Sequence, residues 1–462
     1  MTSWRKRGGG LAVVAGAVAL LITAGLASAQ PSTTTGADAP NVAAAPARTL
    51  DIYGFGPGDD VANGRAAYAE NQLGSNVGVD NPRGGFNDQA FLAMLASGNV
   101  PDIVYMNRRL IGTYAARRAL LPLANCIRSE NIALSQYRAA ALREVRYGGQ
   151  TYALPEFTNQ ITIIVDDNVA QDANVNVNAI STRNWAQLRQ LSRRMMRTEG
   201  GRLTRIGFDP KIPEFFPLWV KWFGNRSSII APNGRPQLNT PQAVAALNFT
   251  LSIIRDHGGW DRFKAFRDTF DFFGRQNPLV RDQIGAWPME SFIYNVFADN
   301  SPNSPLTAKY FVNRRGGPIT MFAGSGWAIP RGARDPDLAC RWMKAMTSVD
   351  AWRTVARNRL NARRAAIPPR AFTGLYTANS RADLTIYQDI YQPLGNRQFD
   401  EAVQRLYTVP KYAFALPPSR ASAEINQAML DGINRALSGS QSPRAALNQA
   451  QREALAAYNR NG

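Results

Sequence analysis

The stretch FNDQAFLAMLASGNVPDIVYM, residues 86–106, decides the fold class of this chain. Its pattern predicts a helix from Asn87 to Ala96 and then an apolar strand from Asp102 to Met106. A short β-prone segment lies upstream at Thr49–Tyr53, and a helical pattern lies downstream from Leu110 to Leu120. Strands that alternate with helices at this spacing predict βαβ units around a parallel sheet, so the fold class is α/β.

Further along the chain, the patterns predict a hairpin, a buried strand and two capped helices. Gly148-Gly149 is expected to form the turn of the hairpin. Ile161–Val165 (ITIIV) is rich in β-branched residues and predicts the buried strand. Asp166 or Asp167 is then expected at the head of the next helix. The capped helices are Trp185–Met196, with Asn184 or Thr182 as the N-cap, and Pro241–Asp256, with Thr240 as the N-cap.

The N-terminal residues predict export. Arg5, Lys6 and Arg7 precede an uncharged run from Leu11 to Leu26, and Ala27-Ser28-Ala29 then forms the small-x-small pattern that signal peptidase recognises. We therefore expect residues 1–29 to be a signal peptide that is cleaved before Gln30. A transmembrane anchor is the alternative, although the run is short for one. No cysteine lies near the end of the run, so we expect a protein that is not lipidated and is periplasmic or otherwise extracytoplasmic.

The region after the signal peptide predicts a leader and then a two-lobed body. Residues 30–48 are rich in Pro, Ala and Thr without a periodic apolar pattern, which is typical of a disordered segment. The remaining stretch of about 410 residues exceeds the usual size of one hydrophobic core, so two lobes are expected.

Charge and composition narrow the classes of partner. The formal net charge is +19, but the basic residues occur as singles and pairs, such as Arg314-Arg315, without a long basic run or a DNA-binding signature. We therefore expect no nucleic-acid partner, while a preference for an acidic ligand stays open. His257 is the single histidine and precedes two glycines at a helix end, where a cation is favourable. With so few ligating residues, we expect no metal and no cofactor. Cys126 and Cys340 either pair or remain two buried thiols.

Several motifs resemble one family of exported proteins. Gly148–Thr158 (GGQTYALPEFT) is similar to its "G-k-x-Y-g-[IL]-P" hairpin, and Asn184–Leu191 (NWAQLRQL) to its "T-W-[DE]-[ED]-[LF]" helix start. Asp282–Met289 (DQIGAWPM) resembles its "G-k-[AV]-A-M" strand, although Asp282 replaces a glycine and Trp287 precedes Met289. Gly324–Asp350 (GSGWAIPRGARDPDLACRWMKAMTSVD) matches its long C-terminal block most closely. The family is that of the extracellular solute-binding proteins of carbohydrate ABC importers, which includes maltose-binding protein.

The resemblance implies a fold and a function. The fold is the type II periplasmic-binding-protein fold, in which two lobes, each a mostly parallel sheet flanked by helices, are joined by hinge crossings. Residues 49–155 and 287–323 are expected to form the first lobe, and residues 156–286 and 324–462 the second. The function is capture of a mono- or oligosaccharide in the interlobe cleft, hinge closure, and delivery by a monomer to the transmembrane subunits of an ABC permease. A secreted glycosidase or polysaccharide lyase that uses Glu156 or Glu290 as acid or base is the alternative.

The residues expected to bind the ligand lie at strand ends and crossings. Sugar binding needs aromatic faces and planar polar groups, and no catalytic residue is expected. The candidates are Phe55, Asn107, Arg108, Glu156, Phe157, Trp219, Trp222, Trp287, Glu290, Trp327 and Arg363. Each has a structural alternative. Trp219 and Trp222 have the i, i+3 spacing of a core stripe, and Glu156 is equally suited to a hinge hydrogen bond. Arg363 and its neighbour Arg364 are alternatively both solvated surface residues.

Overall fold

The computed structural model describes residues 48–56, 58–74, 77–80, 85–393 and 395–461. The predicted signal peptide and almost all of the predicted leader lie outside these residues. Within the described ranges, no helix combines the length and the apolar character needed to cross a bilayer.

The strands fall into two large sheets and one hairpin. They are β1 (Arg48–Tyr53), β2 (Val77–Asp80), β3 (Ile103–Asn107), β4 (Arg146–Tyr147), β5 (Gln150–Thr151), β6 (Ala153–Pro155), β7 (Asn159–Asp166), β8 (Arg197–Glu199), β9 (Arg202–Phe208), β10 (Ile284–Glu290), β11 (Leu306–Lys309), β12 (Thr320–Ala323), β13 (Ser325–Ala328) and β14 (Ala413–Phe414).

The helices cover both sheets. They are α1 (Asp60–Leu73), α2 (Asp88–Ser97), α3 (Arg108–Ala116), α4 (Ala124–Ser129), α5 (Ala139–Glu144), α6 (Asp167–Asp172), α7 (Trp185–Met195), α8 (Phe216–Lys221), α9 (Pro241–Asp256), α10 (Trp260–Arg267), α11 (Ile293–Asn300), α12 (Pro336–Thr347), α13 (Val349–Ala365), α14 (Ser380–Thr385), α15 (Arg397–Thr408), α16 (Ser422–Leu437) and α17 (Pro443–Arg460).

The local signals in the sequence correspond to real elements. Helix α2 and strand β3 follow one another as expected, and β4 and β5 form the hairpin around the two glycines. The N-caps are the residues with side-chain oxygens. Asn184 accepts a hydrogen bond from Gln187 N–H at 3.1 Å, Thr240 accepts one from Ala243 N–H at 3.1 Å, and Asp166 rather than Asp167 caps α6.

The first sheet has the strand order β2-β1-β3-β13-β6. Strand β1 runs parallel to β2 and β3, whereas β13 runs antiparallel to β3 and β6. Its core includes the buried rings of Trp327 and Trp342. A disulfide between Cys126 of α4 and Cys340 of α12 joins two helices of this lobe, which settles the pairing that the sequence left open.

The second sheet has the order β14-β12-β7-β10-β9-β8, with β11 also paired to β7. Strand β10 is parallel to β9 but antiparallel to β7, and β7 is antiparallel to β11 and β12 as well. The α/β class is confirmed, but both sheets are mixed and not mostly parallel. Strands β6 and β7 follow one another from one sheet to the other without an intervening helix, and so do β12 and β13. Such connections do not impose the parallel direction of a βαβ unit.

Sheet membership differs from the lobe boundaries expected from the sequence. Residues 287–323 were expected in the first lobe, yet β10, β11 and β12 pair with β7 in the second sheet. Residues from 324 onward were expected in the second lobe, yet β13 lies in the first sheet and α12 packs on its core. The chain therefore does not return to the first lobe at Gly285–Met289. It returns at Gly324, because β12 ends on the second sheet and β13 begins on the first.

Candidate functional site

A cavity of about 350 Å³ lies between the two sheets, which we call the interlobe cavity. Its walls come from the segment after β1 together with α1, from the crossing after β6, from the start of α11, and from α13 and the chain that follows it. The lining residues are Phe55, Gly56, Asp59, Val61, Ala62, Arg65, Tyr105, Glu156, Phe157, Asn159, Phe292, Asn295, Trp352, Arg359, Gly374, Leu375 and Tyr376.

The interlobe cavity contains a buried ion pair. Arg65 of α1 is 4% exposed and pairs with Glu156 of the first crossing, which is fully buried. The guanidinium carbon of Arg65 lies 3.9 Å from the centroid of the Trp352 ring, a cation–π contact. Burial, with the nearby charge of Glu156, raises the pKa of Tyr105 well above its usual value, so the phenol stays protonated.

A second arginine of the cavity is also neutralised. Arg359 of α13 binds Asp59 with 2.9 Å between Nη2 and Oδ2, and it pairs with Asp60 as well. The hydrogen bond from Arg359 lowers the pKa of Asp60, so this carboxylate stays ionised. Because each cavity arginine already has a carboxylate partner, the walls present mainly aromatic rings and neutral amides. The oxygens of these amides accept hydrogen bonds from Ser291 and Thr373. Such a surface suits an uncharged ligand with apolar faces and several hydroxyls.

Three of the residues expected to bind ligand line the interlobe cavity. They are Phe55, Glu156 and Phe157. Phe55 packs against Trp327, with 4.8 Å between ring centroids, and Trp327 in turn lies 4.5 Å from the ring of Tyr105. Trp327 is itself fully buried, so it supports the wall from behind and is not on the cavity surface.

Other expected residues have structural partners instead. Arg108 is fully buried, and its guanidinium donates to Glu144 at 2.8 Å and to the Phe157 carbonyl at 2.7 Å. The Asn107 side chain caps α3 by accepting a hydrogen bond from Arg109 N–H at 3.0 Å. Arg363 pairs with Asp299 at 2.7 Å, so it is not the solvated residue that the sequence alternative described.

Trp219 of α8 lies in the core of the second lobe, and Trp222, the residue after α8, packs against that core. Trp219 is fully buried and donates from Nε1 to the Pro210 carbonyl at 2.8 Å. Trp222 donates from Nε1 to the Thr182 carbonyl at 2.7 Å and stacks on Trp185 with 4.0 Å between centroids. Neither lines the interlobe cavity, which agrees with the core stripe that their spacing indicated.

Trp287 in the middle of β10 and Glu290 at its carboxyl end lie near Lys211. Trp287 is fully buried, and the Lys211 ammonium lies 4.7 Å from its ring centroid and 4.9 Å from that of Phe272. Burial lowers the pKa of Lys211 and raises that of Glu290, and each of the two groups weakens the shift of the other. This cluster does not line the interlobe cavity, so the expectation that Trp287 faces a ligand stays a prediction.

Sequence reasoning missed several residues of the cavity. Arg65, Asn159, Asn295, Trp352 and Arg359 all line it. One signal was present for α13, because Trp352 and Arg359 are seven residues apart and therefore share a helix face. The two asparagines carried no comparable signal, since amides are common on any surface.

The single histidine is a core residue. His257 is 1% exposed, its Nε2 accepts from Gly207 N–H at 2.9 Å, and its Nδ1 lies 2.8 Å from the Ile253 carbonyl. Burial lowers its pKa, so the ring is neutral and is not the helix-end cation that the sequence suggested. Among the residues that the structure describes, no group of three or more His, Cys, Asp or Glu is placed to hold a metal ion.

The amino-acid sequence matches the model of one known protein family. The model for bacterial extracellular solute-binding proteins matches residues 65–351, which is more than half of the chain. A search of curated protein sequences finds no match.

Solved structures with this fold carry bound saccharides. The structure described as CpMnBP1 with mannobiose bound has a TM-score of 0.70 and 19% identity, covering 88% of this chain and 100% of that chain. An ABC substrate-binding protein from Listeria monocytogenes in complex with cycloalternan has a TM-score of 0.68 and 17% identity, covering 88% and 98%. Maltose-bound MalE3 of T. maritima has a TM-score of 0.62 and 16% identity, covering 88% and 99%. The chain belongs to the family of bacterial extracellular solute-binding proteins.

Proposed function

We propose that this protein captures a neutral mono- or oligosaccharide in the interlobe cavity and delivers it to the transmembrane subunits of an ABC importer. The observation that carries the proposal is the composition of the cavity, where rings from both lobes surround amide groups and every lining arginine has a carboxylate partner. Aromatic faces pack against the C–H faces of a sugar ring, and amides bind neighbouring hydroxyls.

Charge compensation supports a neutral ligand. A sugar carboxylate in the cavity would have to compete with Glu156 for Arg65 or with Asp59 for Arg359. Separating Arg65 from Glu156 would leave a buried carboxylate without its counter-ion, which costs several kcal/mol. The relatives with mannobiose, cycloalternan and maltose carry neutral sugars, in agreement with this choice.

Binding is coupled to movement of the two lobes. The cavity takes Phe55 and Arg65 from the first lobe and Phe292 and Asn295 from the start of α11 in the second, so a ligand that touches both walls stabilises the closed arrangement. The protein acts as a monomer without cofactor or chemical conversion of the sugar. The signal peptide directs export and is cleaved before Gln30.

Calorimetry with a sugar panel tests the proposal. The panel contains mannobiose, maltose, a cyclic glucan, galacturonate and glucosamine, with the protein purified from the extracytoplasmic fraction. We expect saturable binding of at least one neutral saccharide and recovery of the unchanged sugar from the complex by chromatography. Tight binding restricted to galacturonate would overturn the neutral class, and turnover of any sugar would overturn the passive role.

A further inference from the structure

Five cations line two adjoining cavities that share no lining residue with the interlobe cavity. One cavity, of about 660 Å³, is lined by Arg143, Lys221 and Arg226. The other, of about 440 Å³, is lined by Arg226, Arg314 and Arg315. Asn225 and Arg226 line both cavities, which therefore adjoin each other, and we call them together the cationic groove.

No carboxylate balances these charges. Neither lining contains Asp or Glu, and within the described residues none of the five side chains forms an ion pair. Lys221 donates to the Asn225 carbonyl at 2.8 Å, which leaves its charge uncompensated. Like charges held around one concave surface repel one another, so the free groove is electrostatically unfavourable and an anion would relieve it.

The environment of Lys221 shows that these charges act on one another. Burial and then the charge of Arg143 lower the pKa of Lys221. Arg143 belongs to α5, which packs on the core of the first lobe, whereas Lys221 ends α8 in the second lobe. The groove therefore takes cations from both lobes.

The shape of the groove selects the class of anion. The walls also carry aromatic rings, those of Trp222 and Phe223 in one cavity and that of Phe414 in the other, and the Lys221 ammonium lies 5.3 Å from the Phe414 centroid. Two adjoining concave spaces lined by cations fit a narrow chain better than a flat membrane surface, which would touch only their outer edges. Arginine binds both carboxylates and phosphates through paired hydrogen bonds.

We infer that the cationic groove is a second binding site, which takes a short linear polyanion with a carboxylate or phosphate on successive units. The site is independent of the sugar proposed for the interlobe cavity. Because the groove includes Arg143 of the first lobe, its occupation adds an anionic bridge between the lobes.

Titration of the purified protein at low salt tests the site with four probes: inorganic triphosphate, trigalacturonate, orthophosphate and phosphatidylglycerol vesicles. We expect at least one of the two chain probes to bind about tenfold or more tightly than orthophosphate, since several charge-assisted hydrogen bonds form together. The two chain probes distinguish a phosphate from a uronate ligand. Binding of vesicles alone, or equal binding of orthophosphate and both chains, would overturn the inference.

Matched variants separate the groove from the overall positive charge. Arg226→Gln removes the residue shared by both cavities and should weaken binding of the chain probe about tenfold. Arg202→Gln removes the same charge from an exposed residue at the start of β9 that lines neither cavity. This variant should change the affinity for the chain probe less than twofold. Equal losses in the two variants would mean that net charge alone attracts the anion. Circular dichroism and the thermal midpoint of both variants check that the fold is intact.

Discussion

The interlobe cavity and the cationic groove use the same residue type in opposite ways. In the interlobe cavity, Arg65 and Arg359 are held by carboxylates, so the charged groups form the scaffold and leave neutral groups to meet a ligand. In the cationic groove, Arg226 and its neighbours have no carboxylate partner among the lining residues, so the charges themselves face the space. The difference shows that arginine content says little about ligand charge until the partner of each arginine is known.

The largest expected effect comes from removing Arg65, the buried cation of the interlobe cavity. Arg65→Met should lower the free energy of unfolding by about 3–5 kcal/mol, because it leaves Glu156 buried without a counter-ion. Urea denaturation followed by circular dichroism measures the change. Arg435→Gln is the control, since its pair with Glu453 at 3.0 Å is largely solvated and should contribute less than about 1 kcal/mol.

A double variant sharpens the same point. Arg65→Met combined with Glu156→Leu replaces both charges with apolar groups and should recover most of the stability lost in the single variant. If the double variant is no more stable than Arg65→Met alone, the loss arises from packing against Trp352 and not from the unpaired carboxylate.

The next effect concerns binding in the interlobe cavity. Phe292→Ala should weaken the affinity for the best neutral sugar about tenfold, because a half-buried ring of the cavity wall is lost. Trp222→Ala removes a larger ring that packs on Trp185 outside this cavity, and should leave sugar affinity unchanged while lowering stability. Isothermal titration of both variants compares them, and a greater loss with Trp222→Ala would contradict the choice of cavity.

Ionic strength should distinguish the two regions without any mutation. A tenfold increase in salt concentration should lower the affinity of the cationic groove for the chain anion about tenfold or more, because exposed charges are screened. The same change should alter sugar affinity less than twofold, since the sugar is uncharged and the arginines of the interlobe cavity are paired with carboxylates. If sugar affinity depended strongly on salt, the interlobe cavity and the cationic groove would not differ in their electrostatics as described.

The smallest expected effect is on pH dependence. Burial and Arg143 lower the pKa of Lys221, so this ammonium loses its proton at a lower pH than an ordinary lysine, whose value is 10.5. Anion affinity should therefore fall as the pH rises through the pKa of Lys221, while sugar affinity stays flat. Lys221→Arg should abolish the fall, because a guanidinium keeps its charge throughout this range. A fall that persists in Lys221→Arg would assign it to another group.

Local signals in the sequence predicted the structure correctly where one residue type has one structural role. Asn184 and Thr240 cap their helices as expected, because a short side-chain oxygen next to the first turn satisfies a backbone N–H in almost any context. The family blocks, taken in order, identified the fold class for the same reason, since they mark strand ends and helix starts.

Strand pairing was less accessible from the sequence. The strand β10 reads IGAWPME and is buried along most of its length, and that apolar pattern is equally compatible with either sheet. Its hydrogen bonds to β7 and β9 place it in the second lobe, whereas residues from 287 onward had been expected in the first. Register and partner depend on residues that lie 78 to 129 positions away in the chain.

The sequence by itself determined the α/β class, the helix caps and the membership of a solute-binding family, because these depend on neighbours within one or two turns of chain. The tertiary structure alone decided which side chains meet a cavity. Arg65 is close to Glu156 and Trp352 only when α1, the first crossing and α13 are brought together, and Trp219 faces the core only when α8 packs on its lobe. The physical reason is that burial and charge pairing are properties of contacts between distant segments.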